Sequence, residues 1–535
     1  MYSIQMLLTI QNWQRGPYWL YSESEQTSIQ YDSPVPNKWL PGDIVIDKNK
    51  VQRDSTRHTA IVGIVDYTNR TGQGFTSRNV PLYMFHPLNP AYPPMIVASK
   101  TNPKHNQLAT VNIEHWDNKW PRAGIQKTLG PVGNIEIEQS AYIQAMSIGK
   151  QPEFTSQCHA GTLHTEYDAF VFHIDPEGCE DVDDVLSFAN IPGGYEFGIG
   201  IADVSAWVPE DSPMDVYARH LGETVYVDGK PMYPMLPPAL STDKASLRAD
   251  AKPRPVLSRI YTIQQDQVTD VRWALQIVRV HAKYTYESIL HDSTLSMQLK
   301  KALKTVLQGK PITEDPHRWV ELAMVEYNTA AANLLKQNRI GLLRRQPEGI
   351  SQAEWLTLSQ QTRIPELAFL GYGSGAYTCA STNEATKHAG LQLETYTHAT
   401  SPLRRYADLH NQRQMKYILF GTQASPLRID WMHLNVRSRQ AKQLDRDLWF
   451  LQHLQPNQIT EVEGIVVERK EDTWKLYVPS WKRMIRAKPE EDTIFKQGET
   501  VHIRAYTNLK AVTSNRIVCS CASHNEAFAT VHSPQ

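Results

Sequence analysis

Cysteine is scarce in this chain and follows no pairing pattern. Cys158, Cys179, Cys379, Cys519 and Cys521 are odd in number and scattered over 535 positions, which excludes a disulfide framework and offers no paired ligand spacing for a structural zinc. Cys519-Ser-Cys521 sets two thiols on one face of a strand, and the reading is of reduced thiols in a reducing compartment. Net charge is also missing: 55 Lys and Arg against 56 Asp and Glu leave −1, so this is not the basic body of a protein that coats nucleic acid, and any such contact must be local. No apolar run approaches the ~18 residues a membrane span needs, and Met1-Tyr-Ser-Ile-Gln-Met-Leu-Leu-Thr-Ile10 is too short for a signal core and lacks a basic lead-in. A soluble intracellular protein with no membrane partner is expected, in the cytoplasm first, with nucleus and mitochondrion open.

What is present divides into blocks. Residues 1–35 are polar without periodicity and read as a loose arm. Short β-rich runs punctuated by Pro, Gly and Asn follow, with Ile44–Ile46, Ala60–Val65, Tyr83–Phe85 and Met95–Val97 assigned to one small barrel over 36–100. Ala109–Ile113 and Gly130–Ile135 fall to a second over 101–150. The centre, 151–455, is mixed: strands as far as Val278, then amphipathic helices at 317–336, 402–419 and 431–453. Over 456–525, Glu463–Glu468 and Thr473–Val478 form a hairpin-like pair before further strands, which suits a five-stranded OB-type barrel. Residues 526–535 are a tail. The fold class is multidomain α+β.

The densest chemistry is Asp175-Pro-Glu-Gly-Cys-Glu180-Asp181-Val-Asp183-Asp184, directly after the apolar run Ala169–Ile174. Two carboxylates about 4 Å apart repel by ~4 kcal/mol at an effective dielectric of ~20, so several converging at a strand end must take up protons or bind a cation. Oxygen-only ligands suit Mg²⁺, with Mn²⁺ an alternative. A solvated acidic loop would not thread Val182, Val185, Leu186 and Phe188 between its charges, and a calcium loop wants Gly at its sixth position, which neither Glu180 nor Leu186 supplies.

A second element is Tyr396-Thr-His-Ala-Thr-Ser401-Pro402-Leu-Arg404-Arg405-Tyr-Ala-Asp408. Ser401 reads as an N-cap and Pro402 as the first helical residue, placing Arg404 and Arg405 in the first turn with Asp408 positioned to hold Arg404. Cations beside a helix N-terminus make an anion site; an ordinary capped helix with exposed arginines is the alternative. Other local cations are Lys336 with Arg339, Arg344-Arg345, Arg437 with Arg439 and Lys442, and Trp481-Lys482-Arg483 with Arg486 and Lys488, each of which can equally be a solvated face. Metal on one side of a phosphodiester and Arg on the other is an arrangement for hydrolysis.

These residues resemble the ribonuclease II and ribonuclease R (RNB) family of 3′-to-5′ exoribonucleases, closest in layout to eukaryotic-type members. The likeness runs through Ile174–Asp184, Gly200–Ser205, Glu223–Tyr226, Tyr233–Pro237, Ser246–Arg248, Arg254–Val256 and Tyr396–Asp408. It implies an RNB catalytic domain flanked by OB-fold barrels, two cold-shock-like before it and one after. It implies a magnesium site at Asp175, Asp181, Asp183 and Asp184, with Asp183 central to cleavage, and Arg404 on the scissile phosphate with Arg405 in support. It further implies RNA contacts at Tyr226, at Tyr286 (with Tyr284 as alternative) and at Glu321. Leu322 and Ala399 depart from the pattern, standing where many members have Glu and Phe. The resemblance includes neither an endonuclease-like domain nor a Lys-rich tail, so no endonuclease activity is expected.

The expected activity is processive, Mg²⁺-dependent hydrolysis of single-stranded RNA to nucleoside 5′-monophosphates, by a monomer or within an RNA-decay complex. The rivals are an inactive RNA-binding regulator on the same scaffold, or a nuclease acting on DNA or small nucleotides.

Overall fold

The computed structural model describes the chain apart from residues 1–4, 11, 17, 23–26, 32–37, 47–49, 53–59, 70–72, 156–157, 160, 162, 350–351, 383–384, 423–429, 491–492, 513–515 and 524–535. The expected tail at 526–535 therefore lies outside the described residues. The chain divides into two units, one of Met1–Ile148, Leu356–Ala368 and Arg439–Gln535, the other of Gly149–Trp355 and Phe369–Ser438.

The first unit is built from β-modules. Gln5–Ile10, Tyr18–Ser22, Thr27–Tyr31, Ile44–Ile46 and Lys50–Gln52 make a five-stranded sheet with Gln5–Ile10 at its centre. This corrects the loose arm expected over 1–35. Met6, Leu8 and Ile10 are buried while Leu7 and Thr9 between them are partly open, and Leu8 faces Leu20 across the pair. That period-two alternation is short and framed by polar residues, so composition hid it.

The expected boundary at 100 is also corrected. Ile61–Val65, Leu82–Pro87, Met95–Ala98, Gln107–His115 and Arg122–Pro131 close into one barrel, so the division between the first two modules falls before Ile61. Closure satisfies the edge of Arg122–Pro131 by parallel pairing with Met95–Ala98, which no local pattern announces. The helix Ile135–Ala145 follows, its first turn capped by the Asn134 side chain accepting from Ile137 N–H.

The last barrel matches expectation: Thr460–Lys470, Thr473–Val478, Arg483–Pro489, Thr500–Thr507 and Ile517–Ser523 are closed. Cys519 and Cys521 both point into its core, and all five cysteines are free thiols. Arg516 at its last strand pairs with buried Glu138 at 2.5 Å, while Tyr142 donates to Asp447 at 2.6 Å.

The second unit is a seven-stranded sheet in the order Thr165–Glu166, Gln267–Val278, Arg254–Gln264, Gly194–Ala202, Asp184–Ile191, Phe170–Ile174, Ala282–Tyr284. Helices Ser293–Val306 and Pro316–Asn338 supply Leu299, Leu303, Trp319, Ala323 and Tyr327 to the core beneath it. Phe170–Ile174 and Asp184–Ile191 are antiparallel neighbours, so the acidic segment between them turns back at one end of the sheet and starts and finishes side by side.

Candidate active site

The acidic turn is held by backbone contacts from a distant segment. Ser246 Oγ accepts from Val182 N–H at 3.0 Å and donates to the Glu180 carbonyl at 2.6 Å, and Leu247 N–H donates to the Val182 carbonyl at 3.0 Å. At its ends Asp175 N–H donates to the Tyr284 carbonyl at 3.1 Å, and Ala202 N–H to the Asp183 carbonyl at 2.9 Å. Val182 is buried, so the chain turns with this apolar side chain inward.

Asp183 is buried and takes both contacts from the second motif: its Oδ1 accepts from Leu403 N–H at 2.9 Å and its Oδ2 from Arg404 Nε at 3.2 Å. Burial raises its pKa to about 7, against the opposing pull of Arg404 and the Leu403 N–H. Asp184 is held well above the usual carboxylate range by burial and then by the charges of Asp175 and Asp183. Cys179, pushed up to about 12 by burial and then by Asp175 and Asp181, stays a thiol.

The segment that carries Arg404 differs from the expected helix start. The helix runs Tyr406–Phe420, with Arg405 at the cap position in an extended conformation, and Ser401–Arg404 form the turn before it. Ser401 is not the cap. Its N–H donates to Asp408 Oδ1 at 2.8 Å, and Asp408 pairs with Arg405 at 2.7 Å, not with Arg404. A carboxylate on the first helical turn thus gathers the turn back onto itself and frees the Leu403 N–H for Asp183. Two asparagines complete the support. Asn328 donates to Tyr396 Oη at 3.1 Å and Thr400 Oγ1 at 3.2 Å and accepts from Ala399 N–H at 2.8 Å; Asn411 donates to Thr397 Oγ1 at 2.9 Å and to the His398 carbonyl at 3.0 Å. Neither these two nor Ser246 was singled out as functional from the sequence, because a long-range side-chain bond leaves no local signal.

Tyr226 arrives by strand pairing: Thr224 N–H donates to the Arg404 carbonyl at 2.9 Å, and Glu223 bridges Arg405. Its hydroxyl is raised to about 12 by burial, then by Asp181. Tyr286, raised to about 12 by burial and then by Asp175 and Asp184, stacks on His317 with ring centroids 3.6 Å apart. Tyr284 instead packs edge-on against Phe172 and donates to Asp292. Glu321 sits at the surface of its helix paired with Arg318, its charge felt by Tyr396. The structure therefore groups the four aspartates with Arg404, Arg405, Tyr226 and Tyr286, and sets Glu321 beside the Tyr396 end of the motif.

The other basic candidates are largely engaged. Lys336 donates to Thr386 and Thr395, Arg437 to the His220 carbonyl, and Arg483 pairs with Asp445. Trp481 packs on Trp449 and Phe450.

Among the described residues, no group of three or more carboxylate, imidazole or thiol side chains is gathered tightly enough to enclose an ion as it stands. The donor set nevertheless fits a hard divalent cation. Asp184 accepts no hydrogen bond and makes no ion pair among the described residues, and it lies in the fields of two further carboxylates. Such an excess of negative charge calls for a cation or for protons.

The RNB domain family matches residues 165–296 and 292–421, and the Dis3-like cold-shock domain 2 family matches residues 82–145. The chain is 25% identical over 475 residues to the exosome complex exonuclease RRP44 homolog A of Arabidopsis thaliana, covering 69% of this chain and 50% of that protein. The chain spans about half the length of the curated relatives it matches. In fold it is similar to ribonuclease R of Mycoplasma genitalium in complex with ribose-methylated single-stranded RNA, with a TM-score of 0.66, 16% identity, and 97% of this chain and 100% of that one covered. It is similar also to yeast Ssd1, described as a pseudonuclease, with a TM-score of 0.64, 15% identity, and 95% and 81% covered.

Proposed function

Because the chain belongs to the RNB family, we propose that it is a processive 3′-to-5′ exoribonuclease that hydrolyses single-stranded RNA to nucleoside 5′-monophosphates. The observation that carries the reading is the meeting of two distant motifs at Asp183, whose carboxylate takes the Leu403 N–H and the Arg404 guanidinium. This sets a phosphate-binding cation against an acidic cluster.

In this reading Asp175, Asp181, Asp183 and Asp184 hold Mg²⁺, or Mn²⁺ in its place. The bound ion would supply activation of water and neutralisation of the leaving oxygen. Arg404, 44% exposed despite its pairing with Asp183, offers its remaining N–H groups to the scissile phosphate and stabilises charge there. Arg405 stays on Asp408 and holds the turn. Tyr226 and Tyr286 present aromatic faces for the last bases, and stacking of ~1–3 kcal/mol per base grips RNA without reading sequence. The barrels provide surfaces for the rest of the strand, and the protein works as a monomer or within an RNA-decay complex.

The second reading is an inactive RNA-binding protein on the same scaffold. It is favoured by one observation: both oxygens of Asp183 are already taken by protein donors. The test is a 5′-labelled single-stranded RNA incubated with Mg²⁺ and, separately, with EDTA, with an unlabelled DNA competitor in a third reaction. The nuclease reading expects stepwise shortening and 5′-mononucleotides in the first and third reactions only. Intact RNA that remains bound in every reaction supports the regulator.

A further inference from the structure

Arg344 differs from the engaged cations of its unit. It lies on the strand Leu342–Arg345, directly across from Tyr377 in the register of the pair. Its guanidinium lies over the Tyr377 ring, 4.7 Å from the centroid. The other side is bounded by Gly375, where an added Cβ would stand 2.9 Å from Nη2, 3.0 Å from Nε and 3.1 Å from Cζ. The group is thus fixed between a ring and a glycine. It makes no ion pair and no side-chain hydrogen bond among the described residues, leaving its donors without an acceptor although the residue is half-buried. A planar cation held in place with an unmet donor fork is built for an anion.

Its surroundings connect it to the Arg404 motif. Tyr377 Oη lies 2.7 Å from His398 Nδ1, and His398 belongs to the run that ends in Arg404 and Arg405. Arg405 Nε is buried there without an acceptor among the described residues. Burial, then Arg405, Arg344, His388 and Arg404, drive His398 well below its usual value, so it stays neutral among the guanidinium groups. Carboxylates of this region include Asp408, paired with Arg405, Glu223, whose charge reaches Tyr377, and Glu321, paired with Arg318 and felt by Tyr396. None of these three makes an ion pair with Arg344.

We propose that Arg344 holds a phosphodiester of single-stranded RNA on the 5′ side of the linkage that Arg404 holds. The inference rests on the exonuclease reading, in which only the terminal nucleotide lies 3′ of the cut, so the next phosphates must run to the 5′ side. A guanidinium fixed by Tyr377 and Gly375 would keep the strand in register between successive cuts, making Arg344 a positioning residue. Its fork carries no base readout, so the contact is independent of sequence.

The test is equilibrium binding of the full chain to single-stranded RNA without divalent ions, over a range of salt, comparing wild type with Arg344→Met. A parallel set of oligonucleotides carries one uncharged methylphosphonate at each linkage in turn from the 3′ end. The expected result is about tenfold weaker binding by Arg344→Met at low salt, with the slope of log K against log salt reduced by about 0.7 for the lost contact. In wild type one upstream methylphosphonate weakens binding, and in Arg344→Met that penalty disappears while the others remain. A variant whose slope and positional profile match wild type overturns the inference whatever its affinity, since a merely structural role would leave both unchanged. Failure of wild type to bind RNA overturns the exonuclease reading and this inference together.

Discussion

Ser246→Ala removes one oxygen and isolates the contact that holds the acidic turn. Ser246 is fully buried and its hydroxyl serves two partners, accepting from Val182 N–H at 3.0 Å and donating to the Glu180 carbonyl at 2.6 Å. The Val182 N–H belongs to a buried residue, so losing its acceptor costs about 1–3 kcal/mol. The carbonyl of exposed Glu180 can turn to water, and its loss costs about 1 kcal/mol or less. The sum is about 1–4 kcal/mol for opening this turn. Leu247 N–H keeps its bond to the Val182 carbonyl, so the turn loosens without detaching. At 1.4 kcal/mol per factor of ten, exchange of the Val182 amide should quicken about 5- to 700-fold. Hydrogen exchange followed by mass spectrometry on a peptide covering 179–186 reads this directly. RNA turnover should fall about 10- to 100-fold, because Asp181, Asp183 and Asp184 lose their fixed placement. Wild-type exchange at Val182 in the variant would refute the claim that this hydroxyl holds the turn. Faster exchange with unchanged turnover would refute the claim that the turn's rigidity matters to the chemistry.

Other perturbations bear on other parts of the account. Gly375→Ala should press on the Arg344 guanidinium, only 2.9 Å from the new Cβ, and reduce RNA affinity with little change in melting temperature, as titration and a thermal scan would show. Breaking the buried Glu138–Arg516 pair by Arg516→Met should destabilise the first unit by about 3–5 kcal/mol, because it strands a buried carboxylate; a thermal melt reads it. Asp203 is raised by burial, but Lys416, His164 and Ser205 outweigh this and hold it below the usual carboxylate range. Stability from a depressed carboxylate is present above its unfolded value near about 4 and is lost as pH falls through the folded one. The stability gap between wild type and Lys416→Met should therefore be full at neutral pH and shrink below about pH 4, in melts taken across that range.

The legible and the hidden features divide by the range of the forces involved. The acidic run, the arginine motif and the closing barrel could be read because their signals are local: charge density at a strand end, a turn followed by a helix, alternation within a hairpin. The strand Gln5–Ile10 was missed because its three buried residues sit in a polar stretch and gain their meaning only from Leu20 and Val45 across the sheet. The boundary near residue 60 was missed because barrel closure depends on a parallel pairing between Arg122–Pro131 and Met95–Ala98. The helix start at Tyr406 was misplaced because Ser401 and Pro402 satisfy the local rules for a cap, while Asp408 and Asp183 decide the outcome from outside the turn. Asn328 and Ser246 act on segments 64 or more residues away in sequence, and Asn411 ties the arginine motif at Thr397 and His398 to Leu342, 69 residues before it. Such residues become visible only when the fold places them.

The central claim is that the acidic cluster cleaves RNA and does not merely sit beside it. It is tested most directly by comparing wild type with Asp183→Asn on 5′-labelled single-stranded RNA in Mg²⁺, with binding measured on the same preparations. The account predicts conversion of the labelled RNA to a short residual oligomer by wild type, no shortening by Asp183→Asn, and RNA binding by both. Equal shortening by the two proteins would remove Asp183 from the chemistry, and intact RNA bound by both would leave the fold as an RNA-binding scaffold without a nuclease.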